Sequence, residues 1–291
     1  MIDANLVKNL REISGAGMMD CKKALEACNG DIDASIDWLR EKGFAAAGKK
    51  ESRIAAEGLA NIYIEGNKAV IVELNSETDF VSKNEEFKAL LDTIGNTILK
   101  NNVVNVEEVL ALNTDEGSIN DLIVAKTAKI GEKLSLRRFD ILAKKDTDVF
   151  GSYLHMGGKI AALTVLKGAN EEVAKDIAMQ AAAMKPQYLF QTDVPDDVIT
   201  REKEVLKNEA ITEGKPADIA EKMVAGRIKK FFKEICLVEQ PFIKDGDLDV
   251  ATYLKNNKSE ILNMIRYEVG EGMEKREDNF AEEVMSQINK D

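Results

Sequence analysis

The sequence predicts an α+β protein in which a small three-helix bundle precedes two related three-stranded antiparallel sheets with helices. Three observations carry that prediction. Apolar residues recur at helical spacing through the first forty positions. Two stretches alternate apolar with polar residues around Gly66-Asn67 and Gly157-Gly158, residue pairs that suit hairpin turns. Arg138-Phe139-Asp140-Ile141 then matches Arg266-Tyr267-Glu268-Val269 in residue type at all four positions, as a third strand closing each copy.

In the bundle, Leu6, Leu10 and Ile13 share one helical face before Gly15-Ala16-Gly17 breaks the helix. Cys21, Leu25 and Cys28 form the stripe of a second helix, which stops at Asn29-Gly30. Asp31 caps a third helix carrying Ile32, Ile36 and Leu39. Met18-Met19, at the start of the second helix, are either core filler or an adaptable contact surface. Residues 48–53 contain no apolar side chain and read as a linker, so the first domain is placed at 1–53. Gly43 to Lys49 match a phosphate-loop pattern, but Lys50 replaces the hydroxyl residue that would ligate Mg²⁺, and a helix precedes the segment where a strand is required.

The first sheet unit is placed at 54–145, with helices at Asn84 to Leu99 and Ser118 to Ile130, and the second at 146–269. Aligning the copies shows that the second joins its hairpin to the following helix with five fewer residues. The extra length in the first copy falls at Thr78 to Ser82. The second copy carries an insertion at about 187–236, in which two helices from Asp196 to Ile235 flank Glu213-Gly214-Lys215-Pro216. Ala220, Val224, Ile228, Phe231 and Ile235 stripe the second of them. Such an antiparallel helical hairpin is either a docking or dimerisation arm or packs on its own sheet. Residues 270–291 end in a short C-terminal helix with Phe280, Val284 and Ile288 on one face, which must dock to persist.

The junction at Thr78 to Ser82 is the stretch that structure alone does not explain. Ser82 and Glu85 have capping-box spacing. A staple would pair Val81 with Glu86, so capping leaves two adjacent apolar residues, Phe80 and Val81, without a reason. Phe80 either folds back into its own core or stands out as a surface wedge.

Composition narrows the function. Forty basic and 52 acidic residues give a net charge of −12, which opposes broad phosphate binding and makes nucleic acid an unexpected partner. The first thirteen residues lack the apolar core of a signal segment, and no run approaches the ~20 apolar residues of a membrane span, so no membrane association and a cytoplasmic location are expected. Cys21, Cys28 and Cys236 read as reduced core residues. One histidine, His155, leaves no pair for a metal, and neither a cofactor motif nor a nucleophile motif occurs. No cofactor, metal or catalytic residue is therefore expected. His155, at a hairpin tip, is a structural residue or a contact.

Four segments together carry a resemblance: Gly15-Ala16-Gly17-Met18-Met19-Asp20-Cys21-Lys22-Lys23-Ala24-Leu25, Thr78-Asp79-Phe80-Val81, Leu154-His155-Met156-Gly157 and Gly270-Glu271-Gly272. Over nearly its whole length the chain resembles the bacterial elongation factor Ts family, exchange factors for elongation factor Tu. The resemblance implies a ubiquitin-associated-like bundle, two related core subdomains, the helical hairpin and the C-terminal helix. It implies Tu contacts at Lys8, Arg11, Met18 and Met19, a loop at Thr78, Asp79, Phe80 and Val81 that disturbs Mg²⁺ and phosphate binding with Phe80 inserted, and a further Tu-facing tip at His155, Met156 and Gly157. Phe280, on the terminal helix, is a further contact candidate. A homodimer or a dimer of heterodimers through the helical hairpin is a further expectation. Two other classes are weighed against an exchange factor. An acidic enzyme would turn over a substrate alone, and a helical adaptor would bind without releasing nucleotide.

Overall fold

The computed structural model describes residues 2–14, 16–214 and 216–274. Phe280 and the expected C-terminal helix lie outside the described residues.

Helices α1 (Ala4–Ser14), α2 (Met18–Ala27) and α3 (Ile32–Gly48) form the bundle, around Val7, Leu10, Cys21, Ala24 and Leu25. The stripe on α1 differs from the expected one, because Val7 is buried while Ile13 is 56% exposed. Ser14 takes the inward place instead, its hydroxyl donating to the Leu10 carbonyl at 2.6 Å. Asn29 and Gly30, both at positive φ, end α2, and the Asp31 carboxylate accepts the Ala34 N–H to start α3. The helix continues through Gly43–Gly48, so the segment with the phosphate-loop pattern is not a loop.

Next come β1 (Glu57–Glu65), β2 (Lys68–Ser76), α4 (Asp79–Ser82), α5 (Glu85–Lys100), α6 (Val106–Ala111), the short pair β3 (Asn113–Thr114) and β4 (Gly117–Ser118), α7 (Ile119–Ile130) and β5 (Ser135–Ala143). The remaining elements are β6 (Asp148–His155), β7 (Ile160–Lys167), α8 (Glu171–Met184), α9 (Asp196–Thr212), α10 (Ala217–Ile235), β8 (Pro241–Phe242), β9 (Asp245–Asp249), α11 (Val250–Asn256) and β10 (Glu260–Glu268). The two three-stranded sheets have orders β1-β2-β5 and β6-β7-β10, so each hairpin takes the later strand on the free edge of its second strand. The β8–β9 pair and α11 have no counterpart in the sequence reading. Eight residues, 77–84, join β2 to α5, against three, 168–170, joining β7 to α8. The five extra residues hold α4.

The expected capping box is not formed. Asn84 caps α5, its side chain accepting the Glu86 N–H at 2.8 Å, as Asn170 caps α8 by accepting the Val173 N–H at 2.9 Å. Ser82 is buried, and its hydroxyl donates to the Asp79 carbonyl at 2.8 Å, closing the single turn of α4, while Glu85 turns outward to Lys88. A separate turn precedes the helix, so the cap falls at the second helix start.

The chain divides into two compact units. Among the described residues, the first comprises 2–59, 72–139 and 269–274, and the second 60–71 and 140–268. In the first, α5 buries Phe87, Leu90, Leu91, Ile94 and Ile98, and α3 packs on α7. Lys129 and then Lys126, both on α7, hydrogen-bond the Glu86 carboxylate on α5 and hold its pKa below the usual carboxylate range. The polar stretch after α3 is tied down rather than free: the Lys50 ammonium donates to the Thr127 carbonyl, and that of Lys133 to the carbonyls of Glu51 and Arg53.

In the second unit, α8 lies on β6 and β7 over a core of Ala162, Leu166, Ala174, Ile177, Leu237 and Ile261. The approach is so close that a Cβ on Gly151 would stand 2.0 Å from the Ala174 carbonyl oxygen, and only glycine fits there. Helices α9 and α10 pack on each other as the antiparallel hairpin, with Leu206, Ala210, Ile228 and Ile235 turned inward and Arg227 bridging to Glu209 and Glu213. Val205, Ile211 and Ile219 remain exposed on this arm.

Candidate partner-binding site

The connection between β2 and α5 separates its two apolar residues. Val81 is 8% exposed and anchors the turn, whereas Phe80 is 79% exposed. A phenyl ring left in water on a well-packed scaffold gives up the burial that ordinarily stabilises a core residue. The alternative in which Phe80 folds back into its own core does not hold in this structure.

The turn beneath Phe80 is held at every polar atom of Thr78. Its N–H donates to the Glu132 carboxylate at 2.9 Å, its hydroxyl donates to the other oxygen of the same carboxylate at 2.7 Å, and its carbonyl accepts the Ser76 hydroxyl at 2.8 Å. One residue earlier, the Glu77 carboxylate accepts the Lys133 N–H at 2.6 Å and pairs with Arg53 at 3.1 Å. Asp79 pairs with Lys83 at 2.6 Å, and the Lys83 ammonium stands 5.7 Å from the centre of the Phe80 ring. Because Asp79 and Lys83 are both well exposed, that pair contributes little to stability and keeps its charges available at the tip.

The bundle offers a second surface. Met18 and Met19, at the start of α2, are 56% and 63% exposed, so of their two readings the contact surface is the one this geometry fits. Lys8 and Arg11 on α1 are exposed too, and Lys8 makes only a loose pair with Glu12 at 3.9 Å. Ile13, expected in the core, instead adds to the exposed apolar surface of α1. Exposed, flexible thioethers suit an adaptable protein contact.

The third surface is the β6–β7 tip. His155 is exposed and stacks on Tyr153 at 6.2 Å between ring centres. Met156 has φ 50° and is 72% exposed, Gly157 follows at φ 66°, and Leu154 is 43% exposed. The tip is not loose, because the Gly158 carbonyl accepts the Ala60 N–H at 2.8 Å. From the sequence Ile13 reads as a core residue and Leu154 stands only within the segment that carries the resemblance, while Glu77 and Glu132 are not singled out. The two carboxylates carry no local signal, since Glu132 meets Thr78 across 54 residues.

Among the described residues no group of three or more His, Cys, Asp or Glu is placed to hold a metal, and no helix is long and apolar enough to cross a membrane. Two shallow hollows, one against α9 and α10 and one beside α11, are lined by none of these residues. The three surfaces present exposed apolar side chains, with charged side chains beside those of the first and on the same bundle as those of the second.

A family model described as Elongation factor TS matches residues 77–271. The chain is also 52% identical, over 289 residues, to a protein named Elongation factor Ts from Limosilactobacillus fermentum (strain NBRC 3956 / LMG 18251), covering 99% of each chain.

Proposed function

Since this chain belongs to the elongation factor Ts family of translation elongation factors, we propose that it is a guanine-nucleotide exchange factor, not an enzyme. It binds elongation factor Tu carrying GDP, displaces Mg²⁺ and GDP, and stays bound until GTP enters. The observation that carries this reading is Phe80, 79% exposed on a turn whose supporting residues are all engaged. The wedge is Phe80, with Thr78 and Asp79 at its base and Val81 as its anchor. Lys8, Arg11, Met18 and Met19, together with His155, Met156 and Gly157, supply further contacts, and Phe280 is kept as a contact on sequence grounds. The division into 1–53, 54–145, 146–269 with its helical hairpin, and 270–291 belongs to the same reading. Self-association through that hairpin, by way of Val205, Ile211 and Ile219, is a further part of it.

No chemistry by this chain is required. A GTPase holds GDP through backbone N–H groups around the phosphates and through Mg²⁺, so a small displacement of that shell removes much of the electrostatic stabilisation. The exchange factor needs only to bind the displaced state better. By linkage, any factor by which it weakens GDP is the factor by which GDP weakens it, and GTP binding then releases it unchanged.

Release of a fluorescent GDP from Tu, with this chain at a small fraction of the Tu concentration, tests the reading. Acceleration over many turnovers is expected. Binding without acceleration would fit an adaptor, and turnover of a substrate by this chain alone would fit an enzyme; either result ends the exchange-factor reading.

A further inference from the structure

Two pairs of adjacent residues hold each other reciprocally. From the strand end, the Glu77 carboxylate accepts the Lys133 N–H at 2.6 Å; from the turn after α7, the Glu132 carboxylate accepts the Thr78 N–H at 2.9 Å and the Thr78 hydroxyl at 2.7 Å. The clasp forms because Gly131, at φ 90°, ends α7 in the left-handed conformation and turns Glu132 and Lys133 back toward the β2 end. Carboxylate bonds to N–H and O–H donors are of the stronger, charge-assisted kind.

We infer that Glu132 is a positioning residue for exchange: it fixes the turn that presents Phe80, so that the ring enters the partner already oriented. This rests on the exchange-factor reading of Phe80. An exposed aromatic on a loose loop must lose its conformational freedom at the moment of insertion, and that loss subtracts from what insertion can displace. Glu132 removes the freedom beforehand. It does so without burying the ring, since the bonds end at Thr78 and leave Phe80 79% exposed. Glu77 braces the same turn from the other side. Arg53 answers its charge, so Glu77 also ties the segment after α3 to the tip.

The role separates from simple stability in the kinetics. A residue that only stabilises the fold changes melting, and one that only adds contact area changes affinity. A residue that orients the wedge changes the maximal rate of nucleotide release at saturating factor. If Glu132→Ala lets the productive orientation fall to about a tenth of the population, the maximal release rate falls about tenfold.

Wild type, Glu132→Ala, Glu132→Gln and Thr78→Val are compared by thermal melting, by affinity for nucleotide-free partner, by maximal release of fluorescent GDP and by hydrogen exchange at the Thr78 amide. Expected for Glu132→Ala are a melting temperature lowered by a few degrees through the lost hydrogen bonds, an affinity for nucleotide-free partner lowered by no more than about tenfold, a tenfold or greater loss of maximal release and a fast-exchanging Thr78 amide. Glu132→Gln, which keeps an acceptor, should recover part of the rate. A Glu132→Ala variant as fast as wild type at saturation overturns the inference, and so does one whose loss is all in melting or affinity. A wild-type chain that does not speed release at all overturns the exchange-factor reading and this inference together, which distinguishes the two failures.

Discussion

The backbone N–H of Gly270 donates to the carboxylate of Glu73 at 2.9 Å, and that carboxylate is completely buried. Arg137 and Arg138 on β5 reach it at 2.9 and 2.6 Å, and Arg137 also donates to the Glu271 carbonyl. Gly270 lies at φ 74°, where a Cβ would come within 2.2 Å of the Ala56 carbonyl oxygen. The Gly270-Glu271-Gly272 segment is thus explained by packing on a buried charge. Removing the carboxylate takes the buried acceptor from two partly exposed guanidiniums and from the Gly270 N–H, so Glu73→Ala should lower unfolding stability by about 1–3 kcal/mol. Gly270→Ala should cost about 1–3 kcal/mol from strain alone. Urea unfolding measures both, and wild-type midpoints would show that the buried knot contributes nothing.

Phe80→Ala should leave unfolding stability within about 0.5 kcal/mol of wild type, because the ring is exposed, while GDP release from Tu slows sharply. Phe87, fully buried on α5, supplies the contrast: Phe87→Ala should cost about 3–5 kcal/mol. Melting and stopped-flow release on both variants check the pair. A large loss of stability in Phe80→Ala with normal release would place Phe80 in the core after all.

The helix start is tested at Asn84 and Glu85. Asn84→Ala should cost about 1 kcal/mol through loss of the cap on α5. The Glu85 side chain is 88% exposed and pairs with Lys88 alone among the described residues, so Glu85→Ala should be near neutral. Equal costs at the two positions, read from chemical denaturation, would restore the capping box.

Alkaline stability should depend on Cys236. Burial first, then the nearby carboxylates of Glu239 and Asp193, push its thiol up from 9.0 to about 11. The folded chain therefore holds this proton more tightly than the unfolded chain, and the associated stability is complete below pH 9 and lost as pH rises through 11. Cys236→Ala should remove up to about 2 kcal/mol of that pH dependence, measured as denaturation midpoints between pH 8 and 11. Parallel pH profiles in wild type and variant would rule out the thiol as the cause.

The legible part of the site was legible because its signals are local. Phe80 stood out in the sequence because neither capping nor a staple used it, and because the second copy makes the same connection with five fewer residues. Met18-Met19 and the His155 tip were visible as residues, but not their exposure. Ile13 was misread because its spacing from Leu10 suits burial, and only the packing of the neighbouring helices shows that Ser14 takes the inward place.

Taken alone, the sequence determined the α+β class, the three-helix bundle, the two hairpins with their closing strands, the helical arm and the location of the unexplained turn. Each of these follows from periodicity or turn chemistry within a few residues. The tertiary structure decided which side chains those elements leave in water and what holds them there. Phe80 and Val81 are neighbours with the same apolar character, and only the packed fold sends one out and the other in. The Glu132–Thr78 and Glu73–Gly270 bonds join residues 54 and 197 positions apart, and no pattern along the chain encodes a hydrogen bond whose partners meet only once the fold has closed.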